Sequence, residues 1–317
     1  MISLITILGP TAVGKSSLAL ELCQELNGEI VSADSRQVYR YMDIGTAKAS
    51  QEEQALVPHH LIDVVNPDQD FSLALYQKIT LEAIAGIERK EKKPFLVGGS
   101  GLYVWSLVEG WRIPQVPPDL DFRKELEDRA QSQGGEDLHS ELKKLDPAAA
   151  ESIDPRNIRR VIRALEVCRQ GANFSQLGGK KPFFCPLIIG LTTERADLYQ
   201  RIDNRVDIMI KQGLLKETQG LVDRGYGFDL PAMSGLGYRQ IGSFLKGEID
   251  LPTAIEKIKF ETHRFARRQY SWFRLGDERI HWFDIRNDFR DDVYSLIQDF
   301  LKCNSRTGSC CKQPVVN

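Results

Sequence analysis

Short apolar runs alternate with helical patterns along most of the chain. The first run, residues 2–8, predicts a buried strand, and Leu18, Leu22 and Leu26 then recur at helical spacing. Further apolar runs predict strands at residues 29–32, 60–65, 95–97, 186–191 and 281–285. Strands that alternate with helices are typical of an α/β fold with a parallel sheet flanked by helices.

The alternation stops between residues 114 and 186, where the sequence becomes helical and charged. We interpret residues 114–186 as a mainly helical inserted domain, and residues 1–113 and 187–302 as the α/β core. Residues 303–317 are polar and follow the last helical pattern. We expect a flexible tail there.

A glycine-rich segment joins the first predicted strand to the first predicted helix. In this context its backbone amides can curl around phosphate groups, Lys15 adds a positive charge, and the Ser16 hydroxyl suits Mg²⁺. The sequence therefore predicts a P-loop NTPase-like sheet. The predicted diphosphate or triphosphate cradle consists of Gly9, Thr11, Ala12, Val13, Gly14, Lys15 and Ser16.

Two more polar segments follow predicted strands. Asp34 comes after the second strand, and Ser100 lies in a Gly-Gly-Ser-Gly turn after the strand at residues 95–97. The carboxyl ends of parallel strands meet at one sheet edge, so we expect both side chains beside the phosphate loop. Asp34 is a candidate general base, and either Asp34 or Asp63 is a candidate Mg²⁺ ligand. By itself, the Ser100 segment also reads as an ordinary tight turn.

The formal net charge of −2 over 317 residues excludes a uniformly basic nucleic-acid binder but leaves room for a local basic patch. Two predicted helices carry arginine stripes: Arg156, Arg160 and Arg163 with Arg159 beside them, and Arg264, Arg267 and Arg274 with Arg268 beside them. Each stripe is compatible both with anion binding and with an ordinary solvated helix face.

The composition also limits metal chemistry and location. The six cysteines form no C-x-x-C pair and there are five histidines, so we expect neither a zinc site nor a disulfide framework. No apolar run is long enough to span a membrane, and the first run lacks the basic residues of a signal peptide. We therefore expect a cytoplasmic protein, or one inside an organelle after loss of a leader.

The sequence resembles the tRNA dimethylallyltransferases, also called tRNA isopentenyltransferases, over nearly its whole length. The resemblance rests on the phosphate loop and on residues 32–39, 42–48, 58–63, 96–103, 163–167, 237–240, 267–269 and 272–274. The phosphate loop is unspecific, whereas the Asp34 segment combined with the Arg267 segment is highly specific. One position departs from the family pattern: Ser100 stands where threonine is usual, which keeps the hydroxyl and loses the methyl group.

The resemblance implies that the loop binds dimethylallyl diphosphate, with Mg²⁺ at Ser16. The five-carbon group would move to the exocyclic amine of the adenosine immediately 3′ of the anticodon in tRNA. It implies catalytic roles for Asp34, Ser100 and Lys15, and neither DNA nor a membrane as partner. The residues implied to contact the tRNA anticodon stem-loop are Asp34, Ser35, Arg36, Gln37, Ser100, Arg123, Arg159, Arg160, Arg163, Gly237, Tyr238, Arg239, Arg267, Arg268, Gln269, Trp272 and Arg274.

Three other functions compete with this one. An adenylate isopentenyltransferase would use a free nucleotide as acceptor, and it would not need two arginine-lined helices. A small-molecule kinase would bind ATP in the same loop, and radiolabel transfer from the γ-phosphate would reveal it. A non-catalytic RNA-binding module would have no use for Asp34 beside a complete phosphate loop.

Overall fold

The computed structural model describes residues 2–114, 116, 119–177 and 179–307. The chain divides into two compact units: Met1–Val108 together with Phe183–Asn317, and Glu109–Pro182. The second unit starts at Glu109, before the predicted start of the insertion at residue 114, and it ends at Pro182, before the predicted end at residue 186. The second unit starts where the preceding helix of the first unit ends, at Val108. It ends early because the strand that resumes the first unit begins at Phe184 and already includes Pro186.

The first unit contains a parallel sheet. In the described part of the chain its strands are β1 Ile2–Leu8, β2 Gly28–Ser32, β3 His59–His60, β4 Lys93–Gly98, β5 Phe184–Thr192 and β6 Ile280–Asp284. The strand order is β3-β2-β4-β1-β5-β6, and every neighbouring pair is parallel. Strand β1 lies where the strand order reverses, and the crevice beyond its carboxyl end is where such sheets bind ligands.

Helices follow the strands of this unit. They are α1 Lys15–Leu26, α2 Gln51–Leu56, α3 Leu73–Arg89 and α4 Gly101–Val108 before the second unit. The second unit contributes α5 Leu120–Gln133, α6 Gly135–Leu145, α7 Pro147–Ser152, α8 Ile158–Arg169 and α9 Phe174–Leu177. The first unit then continues with α10 Arg195–Gln212, α11 Leu214–Asp223, α12 Tyr238–Leu245, α13 Leu251–Trp272 and α14 Arg290–Thr307.

The predicted strand at residues 60–65 is largely wrong. Only β3 pairs with β2, and Val65 forms a single isolated bridge with Tyr39. Leu61 and Asp63 have φ angles of 64° and 54°, in the left-handed region, and this ends the extended conformation. An apolar run therefore does not form a strand where its backbone has to turn.

The second unit is helical, as its sequence predicts. Helices α5, α6 and α8 share an apolar core formed by Leu126, Leu138, Leu142, Val161 and Leu165. The predicted amphipathic pattern at residues 156–168 corresponds to α8, whose apolar face supplies the last two of these residues. The core is small, and charged side chains cover the outer faces of the helices.

The C-terminal segment is more ordered than its polar sequence suggests. Helix α14 continues to Thr307, so the predicted tail at 303–317 starts too early, and residues 308–317 lie outside the described residues. Cys185 in β5 and Cys303 in α14 are both disulfide-bonded, which the spacing of the cysteines does not indicate. No helix within the described ranges is long and apolar enough to cross a lipid bilayer.

Candidate active site

The predicted phosphate loop lies between β1 and α1. Gly9, Ala12 and Gly14 all have positive φ angles, of 141°, 65° and 101°. A Cβ at Gly9 would lie 2.4 Å from the Leu191 carbonyl oxygen, so only glycine fits between this turn and β5. The loop thus has the curled backbone from which several amides can point at one anion.

Two arginines of α10 contact this loop. Arg201 Nε donates to the Ala12 carbonyl oxygen at 3.0 Å, and Arg205 Nη1 donates to Thr11 Oγ1 at 3.4 Å. The sequence analysis missed both, because it used only the apolar positions of this helix. Their spacing of four residues, which puts them on one helix face, is the signal that was available.

Lys15 lies in the same group of charges. Its Nζ donates to the Pro10 carbonyl oxygen at 2.6 Å. Burial lowers the pKa of Lys15 to about 7, the positive charge of Arg205 acts in the same direction, and Asp34 opposes them. Burial also lowers the pKa of Arg205, again against the effect of Asp34. A bound anion would stabilise both cations, so the loop is a strong candidate site for a diphosphate.

Asp34 and Ser100 meet at the carboxyl edge of the sheet, as their positions after strands predict. The backbone N–H of Arg36 donates to Asp34 Oδ1 at 2.8 Å, which forms a tight turn. The backbone N–H of Ser35 donates to Ser100 Oγ at 3.1 Å. The Ser100 hydroxyl therefore holds the Asp34 turn against the start of α4.

The Gln37 side chain of the Asp34 segment does not line this edge but forms hydrogen bonds to nearby parts of the chain. Gln37 accepts from Ser32 Oγ at 2.8 Å and donates to the Thr46 carbonyl at 3.3 Å. Its amide therefore links the end of β2 to the segment around Thr46. The Asp63 carboxylate accepts from Lys48 Nζ at 2.7 Å. Of the two candidate Mg²⁺ ligands, Asp63 is thus engaged with a cation, and Asp34 is the one whose charge acts on Lys15 of the loop.

A Mg²⁺ ion would find few protein ligands here. Ser16 is exposed at the first turn of α1, and its hydroxyl is a hard oxygen ligand next to the phosphate loop. Across the described residues there is no group of three or more His, Cys, Asp or Glu side chains suited to a metal. This fits an ion held mainly by substrate phosphates and water, as is usual for Mg²⁺.

A cavity of about 360 Å³ opens beside these groups, and polar and apolar walls line it. The predicted site residues along it are Thr11, Ala12, Asp34, Ser35, Arg36, Ser100, Gly237, Tyr238, Arg239 and Arg268. The apolar wall consists of Ile202, Val206, Met209, Ile258 and Phe265, which α10 and α13 contribute. Two residues of the phosphate loop, Thr11 and Ala12, therefore share one pocket with a carboxylate and an apolar surface, and the other predicted loop residues are not among its described lining.

A family model described as IPP transferase matches residues 37–276. The chain belongs to the IPP transferase family. It is 50% identical over 300 residues to the tRNA dimethylallyltransferase of Herpetosiphon aurantiacus, over 94% of each chain. It is 47% identical over 300 residues to the protein of the same name from Dehalococcoides mccartyi, over 94% of this chain and 92% of the relative.

Solved structures of this family share the fold. The tRNA isopentenylpyrophosphate transferase of Bacillus halodurans superposes with a TM-score of 0.72 at 41% identity, over 96% of this chain and 98% of that chain. A eukaryotic dimethylallyltransferase, described as acting on tRNA, gives a TM-score of 0.80 at 26% identity, over 99% and 82% of the two chains. The predicted fold class, a P-loop NTPase-like parallel sheet flanked by helices, is confirmed.

In this chain, the C-terminal end of α13 presents a basic surface. Arg267, Arg268 and Arg274 are exposed and have no acidic side chain within ion-pair distance among the described residues. Trp272 is 43% exposed, and its ring packs on Gly101, where a Cβ would lie 2.3 Å from the ring. Arg239, by contrast, forms an ion pair with Glu261. The prediction that these residues contact tRNA is compatible with their exposure and stays a prediction.

Gln269 differs from its neighbours in α13 because its side chain points inward. It is 4% exposed. The backbone N–H of Thr11 donates to Gln269 Oε1 at 2.8 Å, and Gln269 Nε2 donates to the Gly99 carbonyl oxygen at 2.9 Å. Gln269 therefore ties the phosphate loop to the turn before Ser100, and both ends of its amide are used for this.

The four arginines predicted in the second unit divide into two pairs. Arg123 and Arg163 both bind Glu166, a carboxylate that is 2% exposed, and Arg163 also donates to the Val116 carbonyl oxygen at 2.9 Å. Arg159 and Arg160 are exposed. Within the described ranges they have no ion-pair partner, which leaves them as the members of this set with guanidinium groups available to a phosphate.

Proposed function

We propose that this protein transfers the dimethylallyl group from dimethylallyl diphosphate to the exocyclic amine of the adenosine immediately 3′ of the anticodon in tRNA, releasing diphosphate. The observation that carries the proposal is the shared pocket, in which Thr11 and Ala12 of the phosphate loop and Asp34 line one cavity with an apolar wall. Membership in a family whose relatives are named tRNA dimethylallyltransferases supports the same reaction.

The phosphate loop would hold the leaving group. Its amides, Lys15, Arg201 and Arg205 place positive charge where diphosphate develops charge as the carbon–oxygen bond breaks. Mg²⁺ at Ser16, when bound, would neutralise part of the same charge. These groups would therefore lower the barrier to bond cleavage.

Asp34 would act on the acceptor. The exocyclic amine of adenine is a weak nucleophile because the ring delocalises its lone pair. As nitrogen bonds to the carbon that loses diphosphate, one amine proton passes to the Asp34 carboxylate. Ser100 would fix the Asp34 turn through its bond to Ser35. The acceptor lies in a single-stranded loop, so extruding the base costs little.

The test offers the protein three pairs of substrates. With labelled dimethylallyl diphosphate and tRNA, we expect label in tRNA, on the adenosine 3′ of the anticodon, and free diphosphate in equal amount. Label in AMP with none in tRNA would instead indicate an adenylate isopentenyltransferase. Transfer of the γ-phosphate from labelled ATP would indicate a kinase. Either of the last two results would contradict the proposal.

Arg267→Ala should weaken the binding of all substrate tRNAs alike. Each arginine that neutralises a backbone phosphate contributes about 0.7 to 0.9 to the slope of log affinity against log salt. We therefore expect this slope to flatten by about one unit, measured by tRNA binding over a salt series. Arg89→Ala is the matched control, because Arg89 is exposed at the end of α3, at the opposite sheet edge. An unchanged slope would remove Arg267 from the interface.

Gln269→Ala should behave differently, because it leaves the Thr11 N–H and the Gly99 carbonyl without partners. Loss of these bonds to buried groups costs about 1–3 kcal/mol and loosens the phosphate loop. We expect inorganic diphosphate to bind about tenfold more weakly by calorimetry, with the affinity for tRNA unchanged. Gln212→Ala, at the exposed end of α10, is the control. Weaker tRNA binding with normal diphosphate affinity would instead support the predicted tRNA contact.

A further inference from the structure

Glu217, in α11, accepts four hydrogen bonds from two segments that are far from it in the sequence. The backbone N–H groups of Asp43, Ile44 and Gly45 donate to Glu217 at 3.0, 2.8 and 3.1 Å. The hydroxyl of Tyr238 donates to Glu217 Oε1 at 2.7 Å. Three consecutive amides that converge in this way form a concave anion site, and Glu217 occupies it.

We call Glu217 and its four donors the Glu217 junction. Four donors at one side chain require the acceptor-only chemistry of a carboxylate. A carboxylate has only acceptor positions, so both oxygens can receive donors at once, whereas an amide side chain has one acceptor oxygen and one nitrogen that only donates. Burial and the adjacent Glu217 raise the pKa of Tyr238, so its hydroxyl remains a donor. A Cβ at Gly45 would lie 2.6 Å from the Tyr238 ring, so this ring packs directly against the glycine.

The segments that Glu217 joins belong to the active-site cavity. Gly45, Thr46 and Tyr238 line the cavity wall, and Glu217 is absent from the described lining. The Gln37 amide donates to the Thr46 carbonyl at 3.3 Å, and Gln37 lies three residues after Asp34 in the same segment. The position of this wall therefore depends on a side chain that does not itself face the cavity.

We propose that Glu217 is a positioning residue, which fixes residues 43–46 and Tyr238 as one wall of the pocket for the acceptor base. The proposal rests on the function proposed above. Glu217 has no contact with the phosphate loop among its described hydrogen bonds. Its role is therefore restricted to the acceptor side of the reaction.

Glu217→Gln keeps the shape and removes the second acceptor. We expect kcat/KM for tRNA to fall about 10- to 100-fold, because a backbone N–H would face a side-chain NH₂ and the wall would shift. The Kd for dimethylallyl diphosphate should stay within twofold of wild type.

Gly45→Ala should likewise lower kcat/KM for tRNA and leave the Kd for dimethylallyl diphosphate unchanged, because its methyl group displaces the Tyr238 ring while the Glu217 carboxylate stays. Asp223→Asn, at the exposed end of α11, is the matched control with the same charge change.

Hydrogen exchange tests the junction without any substrate. In Glu217→Gln, the amides of residues 43–45 should exchange about tenfold faster than in wild type, and those of the phosphate loop should not change. If the wild-type protein transfers no dimethylallyl group to tRNA, the proposed function fails. The exchange rates then still decide whether Glu217 holds this segment.

Three results would overturn the proposal. The first is an unchanged kcat/KM for tRNA in Glu217→Gln, measured at a temperature at which the variant is fully folded. The second is an equal loss of prenyl diphosphate affinity, which would mean that Glu217 supports the whole fold and not one wall. The third is the same kinetic loss in Asp223→Asn, which would trace the effect to net charge.

Discussion

Asp34→Asn is expected to transfer the dimethylallyl group about 10² to 10⁴ times more slowly than wild type in a single turnover. The asparagine oxygen can still accept from the Arg36 N–H, so the turn and the pocket shape are preserved. It cannot take a proton from the adenine amine. The rate is measured with enzyme in excess over tRNA and saturating dimethylallyl diphosphate, so that only the chemical step is followed.

The affinity of this variant for tRNA should stay near that of wild type, which separates a chemical defect from a binding defect. Asp68→Asn removes one exposed carboxylate from the same unit and is the charge-matched control. A transfer rate for Asp34→Asn close to that of wild type would show that another group, or water, accepts the proton.

The sequence predicts the position of Asp34 and Ser100 well because both follow buried strands. In a parallel sheet, the residue after a strand lies at the carboxyl edge whatever happens in the intervening chain. Strands β2 and β4 are also neighbours, which brings the two turns into hydrogen-bond contact. The phosphate loop is predicted for a similar reason, since its backbone geometry is encoded within one short segment.

The groups that the sequence analysis missed act over long separations along the chain. Arg201 and Arg205 contact loop residues 189 and 194 positions away, and Glu217 binds amides 172 to 174 positions away. The four-residue spacing of Arg201 and Arg205 places them on one face of α10, but neither this spacing nor the local pattern of α11 says what these side chains contact, because charges on an ordinary solvated helix face look the same. Their partners are fixed by the packing of the helices on the sheet.

The arginine-rich end of α13 shows how one helix mixes two roles. Arg267 and Arg268 are exposed, whereas Gln269, the next residue, is buried against the phosphate loop. Successive helical residues point about 100° apart, so adjacent positions in a motif can face solvent and core. The motif identifies the segment, and only the fold assigns each side chain to a surface.

Lys15→Met is expected to bind dimethylallyl diphosphate about 10- to 100-fold more weakly and to turn over about 10²- to 10³-fold more slowly. A charge-assisted hydrogen bond to the diphosphate is worth about 1.5–3 kcal/mol, and the same charge stabilises the leaving group. Calorimetry measures the affinity and single-turnover kinetics the rate. Lys216→Met, at an exposed position of α11, controls for the loss of a lysine charge.

The pH dependence of binding tests the role of Lys15 more directly. The pKa of Lys15 is about 7 in the free protein, and a bound diphosphate raises it by favouring the ammonium form. Below pH 7 the ammonium is already present, so affinity should depend little on this group. Above pH 7 binding must take up a proton, so the Kd should rise by up to about tenfold per pH unit until the pKa of the complex is reached.

Calorimetry in two buffers of different ionisation enthalpy should therefore show uptake of about one proton at pH 8.5 and much less at pH 6. The Lys15→Met variant should lose this dependence, and the same proton uptake in the variant would assign it to another group.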